Sequence, residues 1–154
     1  MEIPNDWSGC GLATVRAVLA EAVTAEFAHS QDADAVWRGG QQRGYDVVSK
    51  DGRSDAKSVR IDEDGYMVLA RRNAEPFAPD KVDRLMLLRL EATTGYRVDL
   101  AGRSAELVGR AEILDAWNVP VAALNKVMPV HGPDDPTWRN VLLDPADLAD
   151  YKVI

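Results

Sequence analysis

A chain of 154 residues with 46% hydrophobic and 28% charged side chains can bury one real core and is too short for two, so a single domain over residues 1–154 is expected. No apolar run reaches the length of a membrane span, and a lone cysteine, Cys10, excludes an internal disulfide and a thiolate metal cage. A net charge of −7 argues against a surface that coats nucleic acid broadly, and with no signal-peptide layout the expectation is a soluble, cytoplasmic protein with no membrane partner.

Residues 1–11 are rich in Pro, Gly and Asn and read as an irregular lead-in. Leu12, Val15, Val18, Leu19, Ala22, Val23 and Phe27 keep helical spacing and predict a helix from Leu12 to about His29. Ser30 to Trp37 reads as a short helix or loop, and residues 38–44 as a polar connection. Tyr45 to Ser58 reads as two strands joined at Asp51-Gly52, a dipeptide suited to the positive φ of a tight hairpin turn. Asp62 to Gly65 predicts a second turn, and Tyr66 to Arg72 a third strand. Arg84 to Glu91 reads as an interior strand, Thr94-Gly95 as the turn after it, and Tyr96 to Leu100 as a further strand. Ala111 to Trp117 and Val121 to Val127 predict short helices, and residues 129–136 a loop. Asn140 to Leu143 closes the strands, and Pro145-Ala146-Asp147 starts a terminal helical turn. The order predicts an α/β (α+β) domain: a mixed central β-sheet flanked by helices.

Charge is concentrated on the first hairpin. Residues 38–60 carry Arg38, Arg43, Lys50, Arg53, Lys57 and Arg60 against Asp46, Asp51 and Asp55, which is +3 locally and leaves −10 elsewhere. With Asp51-Gly52 as a two-residue turn, Lys50 faces Arg53, Val48 faces Asp55 and Asp46 faces Lys57. Side chains alternate along a strand, so Asp46, Asp55 and Lys57 share one face. Facing positions bring Cβ atoms to about 5 Å, so two carboxylates and an ammonium crowd a patch able to hold a divalent cation and steer a water. On the other face Ser54, Ala56 and Ser58 are smaller than a helix-covered strand usually carries.

The run Gly44-Tyr45-Asp46-Val47-Val48, then Asp51-Gly52, then Asp55-Ala56-Lys57-Ser58 resembles the PD-(D/E)xK, or restriction-endonuclease-like, nucleases over roughly residues 12–72. The resemblance implies a restriction-endonuclease-like core and hydrolysis of DNA, with RNA as the other substrate, using Mg²⁺ or Mn²⁺. It implies that Asp46 and Asp55 ligate the cation together with the main-chain carbonyl of Ala56. It gives Lys57 the place beside the attacking water, where its charge lowers the water's pKa and stabilises the transition state. Magnesium accepts such a set, because it takes one or two carboxylates and keeps several waters. Arg38, Arg43 and Arg60 are the expected contacts to backbone phosphate. A homodimer or a place in a larger complex is expected, since cutting both strands needs two sites. The alternative is a catalytically inactive module of the same fold that binds nucleic acid or a protein.

The family also supplies a glutamate from the helix before the hairpin. At 100° per residue from Val15, the apolar stripe centres near 20°, with Glu26 at about 20° and Glu21 at about 240°. The long loop before Asp46 lets the family's glutamate align with either; Glu26, on the core face, is the favoured fourth site residue, and Glu21 points to the solvated side. The four tryptophans show no regular spacing and are expected in the core or at its rim.

Overall fold

The computed structural model describes residues 8–39, 44–71, 74–128 and 140–154. Helix α1 (Ser8–Gln31) leads to β1 (Val36–Trp37), β2 (Val47–Ser49), β3 (Gly52–Ile61) and β4 (Met67–Ala70). There follow β5 (Arg84–Asp99), β6 (Ser104–Pro120), α2 (Val121–Val127), β7 (Asn140–Leu143) and a closing 3-10 helix, Pro145–Tyr151. The described strands form one mixed, mostly antiparallel sheet flanked by helices, as the order of elements predicts.

β3 is the strand on which the sheet turns. Gly52 to Ser54 pair antiparallel with β2, Ser54 to Val59 pair parallel with β5, and Arg60 and Ile61 pair antiparallel with β4. β1 continues the sheet beyond β2, β7 beyond β4, and β6 beyond β5. On its β2 side, then, β3 runs from Asp55 to Val59 with none of the described strands paired to it.

Both faces of the central strands are covered, which is why β5 reads as a nearly unbroken apolar run. Leu85 and Leu87 point into a core closed by α2, the 3-10 helix and residues 74–82, through Val121, Leu124, Leu148, Phe77 and Val82. Met86, Leu88 and Leu90 point the other way, against Ala20, Leu19, Val23 and Phe27 of α1. Leu85, Leu87 and Leu88 are fully buried, and cutting any of them to alanine costs about 2–5 kcal/mol.

Two parts of the expected strand pattern are corrected. Thr94-Gly95 makes no turn: β5 runs on through it to Asp99, with Thr94 opposite Gly109 and Gly95 opposite Val108. Ala111 to Trp117 is strand, not helix. Arg89 pairs with Asp115 and Leu90 with Ile113, which leaves Leu114 as an extra residue in β6. This β-bulge breaks the two-residue alternation, so Ala111, Ile113, Leu114, Ala116 and Trp117 imitate helical spacing. The other expected elements within the described residues hold, except that residues 8–11 belong to α1, Val36–Trp37 is a strand and the third strand runs only over Met67–Ala70; residues 40–43 of the expected connection and Arg72 lie outside the described residues. Residues 1–7 of the lead-in and the expected 129–136 loop lie outside the described residues.

Candidate functional site

The first hairpin forms, but its turn comes one residue earlier than expected, so every facing partner shifts by two residues and the faces are kept. Ser49 pairs with Gly52, Val48 with Arg53 and Val47 with Ser54, so Lys50-Asp51 is the turn and Gly52 begins β3. The cause is tertiary. The Lys50 main-chain nitrogen donates to Asp32 Oδ2 at 2.7 Å, and its Nζ donates to the Gln31 carbonyl at the end of α1 at 2.9 Å. Gly52 has φ +105°, and a Cβ there would stand 2.7 Å from Asp83 Oδ2. That carboxylate bonds the Arg53 main-chain nitrogen at 2.8 Å and its Nε at 2.9 Å.

The corrected register sets Asp46, not Val48, beside Asp55. Asp46 precedes β2 and is held on both sides: its main-chain nitrogen donates to the Ser54 carbonyl at 2.9 Å, and its carbonyl accepts from the Arg38 nitrogen at 2.8 Å. Its Oδ2 accepts from the Ala56 nitrogen at 2.8 Å, which satisfies a main-chain group of β3 on the side away from β5. The Asp46 residue is only 4% exposed. Burial pushes its carboxyl up to about 7; the Ala56 hydrogen bond works against this, while a hydrogen bond donated by the protonated Asp46 to Asp55 and the charges of Asp55 and Glu21 add to it. The two carboxyl groups thus lie within hydrogen-bonding reach of each other.

Lys57 completes the group. Its Nζ lies 2.7 Å from Asp55 Oδ2, with the Asp55 side chain 15% and the Lys57 side chain 36% exposed. The predicted trio of Asp46, Asp55 and Lys57 is therefore brought together, at a place that solvent reaches.

The helix carboxylate at this corner is Glu21, not Glu26. Glu26 is exposed, which corrects its expected place on the core face. Glu21 is 6% exposed, its charge acts on Asp46, and its Oε2 accepts from Trp37 Nε1 at 3.3 Å. The wheel failed because α1 turns small residues to the sheet: Ala20 and Thr24 are buried, while the larger Leu19, Val23 and Phe27 are only partly so. Ala56 packs against this face of α1, so the small side chains at 54, 56 and 58 suit a helix lying close to β3. Trp37, expected in the core or at its rim, is instead an exposed residue of β1, and nothing in its sequence surroundings signalled its bond to Glu21.

The expected phosphate contacts divide. Arg38 stacks on Tyr45, with its guanidinium carbon 4.3 Å from the ring centre, and donates to the Tyr45 carbonyl at 3.0 Å. Arg43 lies outside the described residues. Arg60 is exposed at the far end of β3 and forms no ion pair among the described residues. Arg53 is spent on Asp83 and on the Asp80 and Pro79 carbonyls, at 2.6 and 3.3 Å.

Among known proteins the chain matches no family model, no curated sequence and no solved structure.

Among the described residues no three His, Cys, Asp or Glu side chains are grouped as a protein-only metal cage requires. The donor set on offer is two carboxylates and a main-chain carbonyl. That set fits a hard, oxygen-seeking cation that keeps its waters, and does not fit zinc or another metal that wants nitrogen or sulfur.

Proposed function

We propose that this chain is a metal-dependent endonuclease of the PD-(D/E)xK type that hydrolyses DNA phosphodiester bonds. One observation carries the proposal: adjoining Asp46 and Asp55 carboxyl groups with the Lys57 ammonium 2.7 Å from Asp55. Like-charged groups this close hold a proton between them unless a cation takes its place, so the pair suits Mg²⁺ or Mn²⁺.

When bound, the cation supplies charge neutralisation at the phosphate and a more acidic water. The protein supplies the rest. Asp46, fixed by the Ala56 nitrogen, and Asp55 hold the cation, with the Ala56 carbonyl as a further oxygen donor. Lys57, whose Nζ lies beside Asp55, would donate a hydrogen bond to the attacking water and neutralise charge growing on the phosphate oxygens. A compact ammonium on a flexible stem suits this better than a guanidinium. Glu21, held by Trp37, is a positioning residue: its negative charge sharpens the affinity of Asp46 for a cation. The test is plasmid cleavage with Mg²⁺ or Mn²⁺. Wild type should nick in an EDTA-sensitive way, and Asp55→Ala or Lys57→Ala should lose about 10²-fold or more without loss of fold. Equal cleavage by variants and wild type overturns the assignment.

A second reading is a module of the same fold that binds nucleic acid or a protein without cutting. The Lys57–Asp55 ion pair favours it, because a pair already closed at 2.7 Å stabilises the corner without any cation. It predicts binding indifferent to EDTA and no cleavage of any substrate.

A further inference from the structure

A cleft of about 280 Å³ opens where β3 passes from β2 to β4, lined by Arg16, Ser58, Val59, Arg60, Val68, Ala70 and Asn140. Its floor is one face of the strands. Arg60 pairs with Val68 and Ala70 with Asn140, so Ser58, Arg60, Val68, Ala70 and Asn140 come from three adjacent strands. Arg16 overhangs it from α1. Among the described residues no acidic side chain lines the cleft and neither arginine has an ion pair, although the chain as a whole carries −7. The other basic residues of the 38–60 segment that the structure describes are engaged: Lys50 with the end of α1, Arg53 with Asp83, Lys57 with Asp55 and Arg38 with Tyr45.

We infer that this cleft is a phosphate-binding subsite for a nucleic-acid strand, in which Arg16 and Arg60 clamp a backbone phosphodiester and Ser58 and Asn140 donate hydrogen bonds to it. Two arginines lining one hollow offer planar guanidinium groups of the kind that recognise phosphate oxygens in pairs. The cleft and the Asp46–Asp55–Lys57 corner lie along the same stretch of β3 but on opposite faces, because Ser58 and Arg60 alternate with Asp55 and Lys57; a strand held in the cleft reaches the corner around the β2-side edge of β3. At 3.3 Å per residue, Arg60 stands roughly 13 Å along the strand from Ala56, a span of about four stacked nucleotides. The subsite thus binds the substrate strand away from the bond that is cut. It rests on the nuclease reading for that placement, and its phosphate chemistry is independent of it.

The experiment is fluorescence titration of a labelled single-stranded oligonucleotide with the full chain in EDTA, over a range of salt, beside a Mg²⁺ cleavage assay. Arg16→Ala and Arg60→Ala should each weaken binding about three- to tenfold and reduce the salt slope by about one. Arg16→Gln and Arg60→Gln, which keep the stem against the cleft wall, should show the same loss. Unchanged affinity and slope in all four variants overturn the subsite, even if the wild type cuts. Loss of affinity in the variants of a wild type that does not cut upholds the subsite and removes the metal site. A parallel titration with inorganic phosphate separates the two sources of the anion. Competition by phosphate only in proteins with both arginines supports the clamp; phosphate binding at the arginines with no effect on oligonucleotide affinity overturns the nucleic-acid assignment.

Discussion

The Asp46 carboxylate accepts a hydrogen bond from the Ala56 main-chain nitrogen at 2.8 Å, ten residues along the chain and across the hairpin. The bond closes the end of β2 onto an open stretch of β3 and holds one carboxyl group against Asp55. Asp46→Asn keeps an acceptor for Ala56 and offers a donor to Asp55 while removing a buried charge. It should raise stability at pH 8 in EDTA by about 1–3 kcal/mol and reduce cleavage by about 10²-fold or more. Urea denaturation and the plasmid assay read the two effects.

The same carboxyl sets a pH dependence. Its value in the folded protein, about 7, lies above its ordinary 3.8, so the folded state holds more protons than the unfolded one between those limits. Stability from this group is complete below about pH 4 and is lost as pH rises through 7. The gap between Asp46→Asn and wild type should therefore widen from near zero at pH 4 to a few kcal/mol above pH 8, and millimolar Mg²⁺ should narrow it at high pH. Denaturant midpoints over pH 4–9, with and without Mg²⁺, measure this.

Glu21 and Glu26 make opposite predictions. Glu21→Gln should weaken Mn²⁺ dependence, raising the half-maximal Mn²⁺ concentration several-fold, because it removes a charge that acts on Asp46. Glu26, exposed on α1, should be replaceable by Gln with no change. Trp37→Phe should follow Glu21→Gln, since it removes the donor to Glu21. Cleavage against Mn²⁺ concentration separates the three.

Gly52→Ala should cost about 1–3 kcal/mol. The position combines φ +105° with an Asp83 oxygen 2.7 Å from where the Cβ would stand. The loss should appear as a lower urea midpoint with an unchanged slope.

Much of this site was legible in the sequence because short-range chemistry fixes it. Alternation alone puts Asp55 and Lys57 on one face, and a Gly-containing hairpin folds Asp46 back towards them. The register was not legible, because the choice between Lys50-Asp51 and Asp51-Gly52 as the turn is made by Asp32 and Gln31, about twenty residues upstream. Glu21 was hidden by size: α1 meets the sheet through Ala20 and Thr24, which add little to an apolar stripe. The β6 strand was hidden by one extra residue, Leu114, which shifts its alternation out of phase.

The central claim is that Asp46 and Asp55 together form a cation seat, and calorimetric titration with Mn²⁺ at pH 8 tests it most directly. Wild type and Glu26→Gln should bind Mn²⁺ with the same isotherm, and Asp46→Asn and Asp55→Asn should lose that binding while remaining folded. Identical isotherms for all four proteins, or no heat from the wild type at millimolar Mn²⁺, would contradict it.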